Sequence, residues 1–236
     1  IVYTERSRQH LIAEGYPHRK IYLCGSPINE IFIFYNKQIE KSDILKKLSI
    51  KPKEYFLASI HRQENVDLQG NLKSILETIN AIAMKYDKKI IVSTHPRTKD
   101  RLESLNNVKI DERVSFLKPF GFFDYLHLQK NALTVISDSG TICEESSILN
   151  FPAITIRKSM ERPEAIDAGS VILTGLDKEI VLKSIDLVID QNSIESANSA
   201  PIEYQVINTS WRILKLILGT SKLSNKWSGI EQLKNY

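Results

Sequence analysis

VISDSGTICEESSILNFPAITIRKSMERPEAIDAG, residues Val135–Gly169, contains two short apolar runs, each followed by a polar loop. Leu133 to Ile136 is apolar and partly β-branched, as suits a buried parallel strand. Asp138-Ser139-Gly140-Thr141 then turns into Ile142-Cys143-Glu144-Glu145, the expected first turn of a helix. Backbone N–H groups at such a start attract phosphate, the helix dipole favours negative charge there, and Gly140 lets a ligand approach the backbone closely. Ser139 adds a hydroxyl donor. Glu145, one turn further in, can accept hydrogen bonds from sugar hydroxyls. A Ser-Gly turn followed by acids also caps ordinary helices. What sets this one apart is Arg162, in Glu161-Arg162-Pro163-Glu164-Ala165, which follows the next apolar strand, Pro152 to Ile156. Ligands of an open parallel sheet bind at the carboxyl ends of its strands, so both loops are expected to face one crevice.

Outward from this stretch the chain alternates strands and helices. Strands are expected at Ile21 to Cys24, Tyr55 to Ile60, Lys89 to Ser93, Val114 to Leu117 and Ser170 to Leu173. Helices are expected from Thr4-Glu5 to Glu14, over Ile28 to Tyr35, Ser42 to Leu48, Thr98 to Leu105, Phe122 to Asn131 and Lys178 to Ile189. Between Asn71 and Tyr86 the residues Leu72, Ile75, Leu76, Ile79, Ile82 and Ala83 form one apolar helical stripe, which reads as core. Strands separated by such helices give an α/β fold with a doubly wound parallel sheet. Asp190 to Pro201 is polar and reads as a linker. An amphipathic helix from Tyr204 to Leu218 follows it, with Val206, Ile207, Trp211, Leu214, Ile217 and Leu218 on a face that needs a partner.

Composition narrows the function. The 236 residues can bury a full core, and the formal net charge of +4 comes from cations scattered among nearly as many acids, which does not imply nucleic acid. Cys24 and Cys143 are the two cysteines. They are far apart and lack Cys or His neighbours at metal-ligand spacing, so a reducing compartment is expected and a metal site is not. No apolar run approaches the ~20 residues that span a bilayer, and no signal-peptide pattern is visible, so a cytoplasmic protein without a membrane partner is expected. The chain opens on Ile1-Val2 without an initiator Met and reads as beginning within a longer protein.

Two further loops reach the same edge. His61-Arg62-Gln63-Glu64-Asn65 follows the strand ending at Ile60, and Thr94-His95-Pro96-Arg97 follows the strand ending at Ser93. A single His or Arg in a loop is usually an ordinary surface residue, but the repeated placement suits a diphosphate. Arg62, Arg97 and Arg162 offer forked donors, and His61 can give a hydrogen bond or a proton to a leaving phosphate oxygen. In Phe120-Gly121-Phe122-Phe123-Asp124-Tyr125, Tyr125 is the aromatic chosen to hold a base, against the plainer reading of these rings as helix packing.

HRQEN at 61–65, THPR at 94–97, KPFGFFDYLHLQ at 118–129, SDSGTICEESSILNFPA at 137–153 and ERPEA at 161–165, in that order and spacing, resemble the non-hydrolysing UDP-N-acetylglucosamine 2-epimerases. The forms HRQEN, STHPR and GFFDYLHLQ look most like the branch that forms UDP-N-acetyl-L-fucosamine from UDP-2-acetamido-2,6-dideoxy-L-talose for capsule or O-antigen synthesis. The resemblance implies a two-lobed GT-B fold, of which this chain holds the Rossmann-like C-terminal lobe and a remnant of the N-terminal lobe. The implied boundaries are 1–34 for the remnant and crossover, 35–200 for the UDP-binding lobe, and 201–236 for a helix and tail that return to the first lobe. His61 matches the catalytic-region His; Arg62 and His95 match cleft and regulatory-nucleotide positions. Tyr125 matches the uracil-pocket aromatic, Ser139, Gly140 and Thr141 the diphosphate turn, Glu145 the ribose acid, and Arg162 the Arg of the ERPEA loop. Thr141 departs from a frequent second Gly. The implied chemistry inverts carbon 2 of a UDP-2-acetamido sugar by eliminating and re-adding UDP, with no metal or nicotinamide cofactor. The implied partners are the UDP-sugar, a polypeptide or lobe supplying the N-terminal acid/base carboxylates, and a second copy in a homodimer. Two other readings stay open: a catalytically incomplete UDP-sugar-binding fragment or split-gene remnant, and a GT-B glycosyltransferase.

Overall fold

The computed structural model describes residues 1–104, 108–192 and 200–227. In chain order its helices and strands are α1 (Glu5–Ala13), α2 (Ile28–Glu40), α3 (Ile44–Lys47), β1 (Tyr55–Ser59), α4 (Gln63–Val66), α5 (Gln69–Tyr86), β2 (Lys89–Ser93) and α6 (Pro96–Ser104). They continue as β3 (Val114–Leu117), α7 (Phe122–Asn131), β4 (Thr134–Ser137), α8 (Ile142–Leu149), β5 (Ala153–Thr155), α9 (Pro163–Asp167), β6 (Ile172–Leu173), α10 (Lys178–Asn192), α11 (Thr209–Thr220) and α12 (Ser224–Trp227).

The chain divides into two compact units, Tyr35–Pro201 and Ile1–Phe34 with Ile202–Tyr236. The larger is built on one six-stranded sheet in the order β3-β2-β1-β4-β5-β6, with every pairing parallel. This is the doubly wound arrangement expected, and its strand order reverses between β1 and β4. Both faces are buried, which is why the strands read as continuous apolar runs. Phe56, Ala58, Ile90, Val92, Ile136 and Ile154 pack on one side with Ile75, Ile79 and Ile82 of α5 and Val181, Ile185 and Val188 of α10. Tyr55, Leu57, Ile91, Val135 and Ala153 pack on the other with Leu128 of α7, Ile142 and Cys143 of α8 and Ala165 of α9. The apolar stripe of α5 is therefore core. Its helix ends at Asp87, whose left-handed backbone (φ 49°) returns an N–H to the Ala83 carbonyl.

Register sets the site's floor. Ser93 is opposite Ser59, Ser59 is opposite Ser137, and Ser137 is opposite Thr155. Small hydroxyl residues thus end four adjacent strands on one row, where bulky side chains would fill the space beyond the sheet.

In the smaller unit the strand expected at Ile21 to Cys24 is reduced to a single parallel bridge between Val2 and Leu23. Gly25 (φ 85°) explains the early stop: a Cβ there would lie 2.6 Å from Val206 Cγ2, so the chain must turn where only glycine fits. Thr209 then donates to the carbonyls of Cys24 and Ser26. The helix expected from Tyr204 begins only at Thr209, because a 3₁₀ turn at Ile202–Gln205 precedes it and the Glu203 carbonyl is taken by the Ser26 N–H. Along α11 Trp211 is 62% and Leu218 71% exposed, so the apolar face is open in this chain. The linker expected over 190–201 lies mostly outside the described residues. Among the described residues no helix is long and apolar enough to cross a membrane.

Candidate functional site

The site is assembled where the sheet order reverses. Asp138, the residue after β4, is fully buried. Its carboxylate accepts hydrogen bonds from the backbone N–H groups of His61 (3.1 Å to each oxygen) and Arg62 (2.9 Å) and from Asn65 Nδ2 (3.1 Å). His61 Nδ1 lies 3.1 Å from Oδ1 of the same carboxylate. A buried carboxylate without donors is costly, so four donor contacts from one loop fix the β1 loop against the end of β4. Arg62 adds a fifth link, donating from Nε to the Asp138 carbonyl at 3.0 Å.

A short hydrogen-bonded turn follows. Ser139 Oγ and Thr141 Oγ1 are 2.9 Å apart, the Ser139 N–H donates to Ser137 Oγ at 3.1 Å, and Thr141 caps α8. Gly140 leaves room for charged side-chain ends: a Cβ would come within 2.8 Å of Arg162 Nη1 and 2.9 Å of Glu161 Oε2, with Arg62 Nη2 at 3.6 Å, so those ends would have to shift. Arg162 is anchored by Nε to the fully buried Glu144 at 2.9 Å. Glu161 joins Arg157 Nη2 (2.8 Å) to Arg62 Nη2 (2.9 Å). Hydrogen bonds from Arg157 first and Arg62 second pull its carboxyl down to about 2 from the ordinary 4.5, so it is ionised at neutral pH.

Deeper in, Gln129 of α7 donates to Glu145 Oε2 of α8 at 2.6 Å. Burial pushes the Glu145 carboxyl up, and hydrogen bonds from Gln129 and Thr141 oppose that shift. Burial likewise raises the Tyr125 hydroxyl, which bonds to Ser59 and Gln129. Tyr125, Gln129 and Glu145 are thereby one connected group beneath the Ser139–Thr141 turn.

The structure thus brings His61, Arg62, Ser139, Gly140, Thr141 and Arg162 to one edge, with Tyr125 and Glu145 linked below. His95 follows β2 at the same edge, exposed and one strand from the reversal point. The side chain of Arg97 lies outside the described residues. Sequence reasoning did not single out Asp138, Asn65, Gln129 or Arg157. Asp138 and Asn65 stood inside quoted motifs, and Asp138 directly after a buried strand was the usable signal. Arg157, 3% exposed, was hidden because it reads as an ordinary strand end. Cys143 is buried, and that burial pushes its thiol up to about 12, which favours the protonated form. Among the described residues no cluster of His, Cys, Asp and Glu could hold a metal ion.

Two outcomes follow from this geometry. Asp138→Ala strands the donors of His61, Arg62 and Asn65, and should cost about 3–5 kcal/mol in urea unfolding with an unchanged denaturant slope. Glu161 has a depressed folded-state pKa, so its contribution is complete above about pH 4.5 and is lost as pH falls toward about 2. Stability of Glu161→Gln measured against pH should therefore lack that part of the acid slope.

Known proteins of one family resemble this chain. The UDP-N-acetylglucosamine 2-epimerase family model matches residues 1–218. A UDP-N-acetylglucosamine 2-epimerase of Methanocaldococcus jannaschii is 37% identical over 194 residues, covering 80% of this chain and 53% of that protein. Among solved structures, the UDP-N-acetylglucosamine 2-epimerase of Rickettsia bellii superposes with a TM-score of 0.90 at 40% identity, covering 98% of this chain and 62% of that one. The M. jannaschii UDP-GlcNAc 2-epimerase in complex with UDP-GlcNAc and UDP gives 0.83 at 33% identity, covering 93% and 60%. The chain spans about half the length of the curated M. jannaschii relative. With a fold, an ordered set of loop motifs and a family match that runs through both compact units, this chain belongs to the UDP-N-acetylglucosamine 2-epimerase family.

Proposed function

We propose that this chain is the UDP-binding part of an epimerase that inverts carbon 2 of a UDP-2-acetamido sugar. The observation that carries the reading is the Asp138 junction, which puts His61 and Arg62 beside Gly140 and the Glu144-anchored Arg162 at the point where a parallel sheet binds its ligands. The diphosphate lies over the Ser139–Thr141 turn and the start of α8, facing Arg62 and Arg162. Glu145 takes the ribose hydroxyls, and Tyr125 borders the uracil. The M. jannaschii relative of known structure was solved with UDP-GlcNAc and UDP, which supports a nucleotide of this class here.

The proposed reaction has two halves. A base removes the proton at carbon 2 while the bond from carbon 1 to the diphosphate oxygen breaks, and UDP leaves with the electron pair as a 2-acetamidoglycal forms. UDP then re-adds at carbon 1 as a proton is delivered to carbon 2 on the opposite face. His61 stands in the leaving-group half of this scheme. With Nδ1 turned to Asp138, the other nitrogen of the imidazolium form can donate to the departing phosphate oxygen, while Arg62 and Arg162 meet the growing negative charge. The groups that move the carbon-2 proton are proposed to come from an N-terminal lobe that this sequence does not include, in a GT-B arrangement to which residues 1–34 and 201–236 belong. Arg62 and His95 are proposed to line the cleft and a regulatory nucleotide site. UDP-GlcNAc/UDP-ManNAc and UDP-2-acetamido-2,6-dideoxy-L-talose/UDP-N-acetyl-L-fucosamine are the two candidate substrate pairs, both serving surface polysaccharide synthesis in the cytoplasm.

The chain's span of about half its relative's length, with the apolar face of α11 open, favours a second reading for the chain by itself: nucleotide binding without turnover. Calorimetry separates these readings from no function at all. Saturable binding of UDP, preferred over UMP and ADP, is expected, with affinity reduced about 10- to 100-fold in Glu145→Ala, as the loss of two hydrogen bonds to the ribose implies.

A further inference from the structure

The position proposed for the diphosphate already holds an anion belonging to the protein. Glu161 Oε2 lies 2.9 Å from Arg62 Nη2 and 2.9 Å from where a Gly140 side chain would begin, and Arg162 Nη1 lies 2.8 Å from that same point. Its other oxygen accepts from Arg157 at 2.8 Å. A carboxylate bridging two guanidinium groups beside the glycine of a phosphate turn makes the contacts that a phosphate would make there. We propose that Glu161 is a built-in counter-anion that keeps the phosphate's place and must swing away for nucleotide to bind. This rests on the nucleotide reading given above.

Three features single out Glu161 rather than its acidic neighbours. Asp138 and Glu144 are fully buried and each is tied to its own donors, so neither can leave. The Glu161 side chain is 48% exposed and sits between β5 and α9, outside any regular element. Rotation of its side chain moves the carboxylate into water without disturbing the sheet. Meanwhile Arg157 is 3% exposed, so its charge cannot follow and has to be met by whatever replaces Glu161. A diphosphate brings more charge than a carboxylate to Arg62 and Arg157, and it also reaches Arg162, which Glu144 holds from the other side. The carboxylate holds Arg62 and Arg157 in place and lowers apparent affinity by the fraction of time it occupies the position.

The test compares UDP and inorganic diphosphate binding to the wild-type chain, Glu161→Gln and Glu164→Gln. The last variant makes the same change in charge on the neighbouring first turn of α9. Glu161→Gln is expected to bind both ligands at least about fivefold tighter than wild type, because the competitor is gone, while Glu164→Gln stays within twofold. Unchanged or weaker binding in Glu161→Gln, with the wild type still binding UDP, would show a scaffold rather than a competitor and overturn the proposal alone. Equal tightening in both variants would reduce the effect to general electrostatics and also overturn it. Absence of UDP binding in every chain would overturn the nucleotide reading together with the proposal.

Discussion

A buried carboxylate has to be met by donors, and at Asp138 that requirement organises the site. Its oxygens have no water to turn to, so the backbone of His61 and Arg62, the amide of Asn65 and the ring of His61 are drawn onto them. Because these groups follow β1 and Asp138 follows β4, one side chain ties together the two strands between which the sheet order reverses. The orientation of His61, the course of α4 and the placement of Arg62 beside Gly140 all descend from it.

The sheet makes that junction available. Parallel strands put every carboxyl end on one edge, and the serine and threonine row leaves that edge low enough for loops to close over it. On this floor the charges are layered. Asp138 and Glu144 are buried anions that meet His61, Arg62 and Arg162, whereas Glu161 is half-exposed and held by Arg62 and Arg157. In the proposed account, the buried anions orient the cations and the movable one yields its place to a larger anion.

Much of this could be read from residue order. The apolar runs at 55–60, 89–93, 114–117 and 133–136 are strands within a residue or so, because burial on both faces leaves few polar positions to blur them. The α5 stripe and the Ser139–Thr141 turn into α8 were equally plain. What escaped was set by distance in space. Nothing local to Asp138 says that donors 73–77 residues earlier will satisfy it. Nothing local to Glu161 says that it will sit between Arg62 and Arg157. Ile21 to Cys24 looked like a strand because its residues favour one, but Gly25 closed against Val206 ends it as a bridge. The start of α11 moved from 204 to 209 for a similar reason, since the preceding backbone is committed to Ser26.

The most direct test of the central claim is a crystal structure of the chain with UDP. The account predicts the diphosphate over Ser139, Gly140 and Thr141, within hydrogen-bond distance of Arg62 and Arg162, with the Asp138 contacts to His61, Arg62 and Asn65 intact. UDP bound elsewhere, or bound at this edge with the Asp138 junction broken, would contradict it.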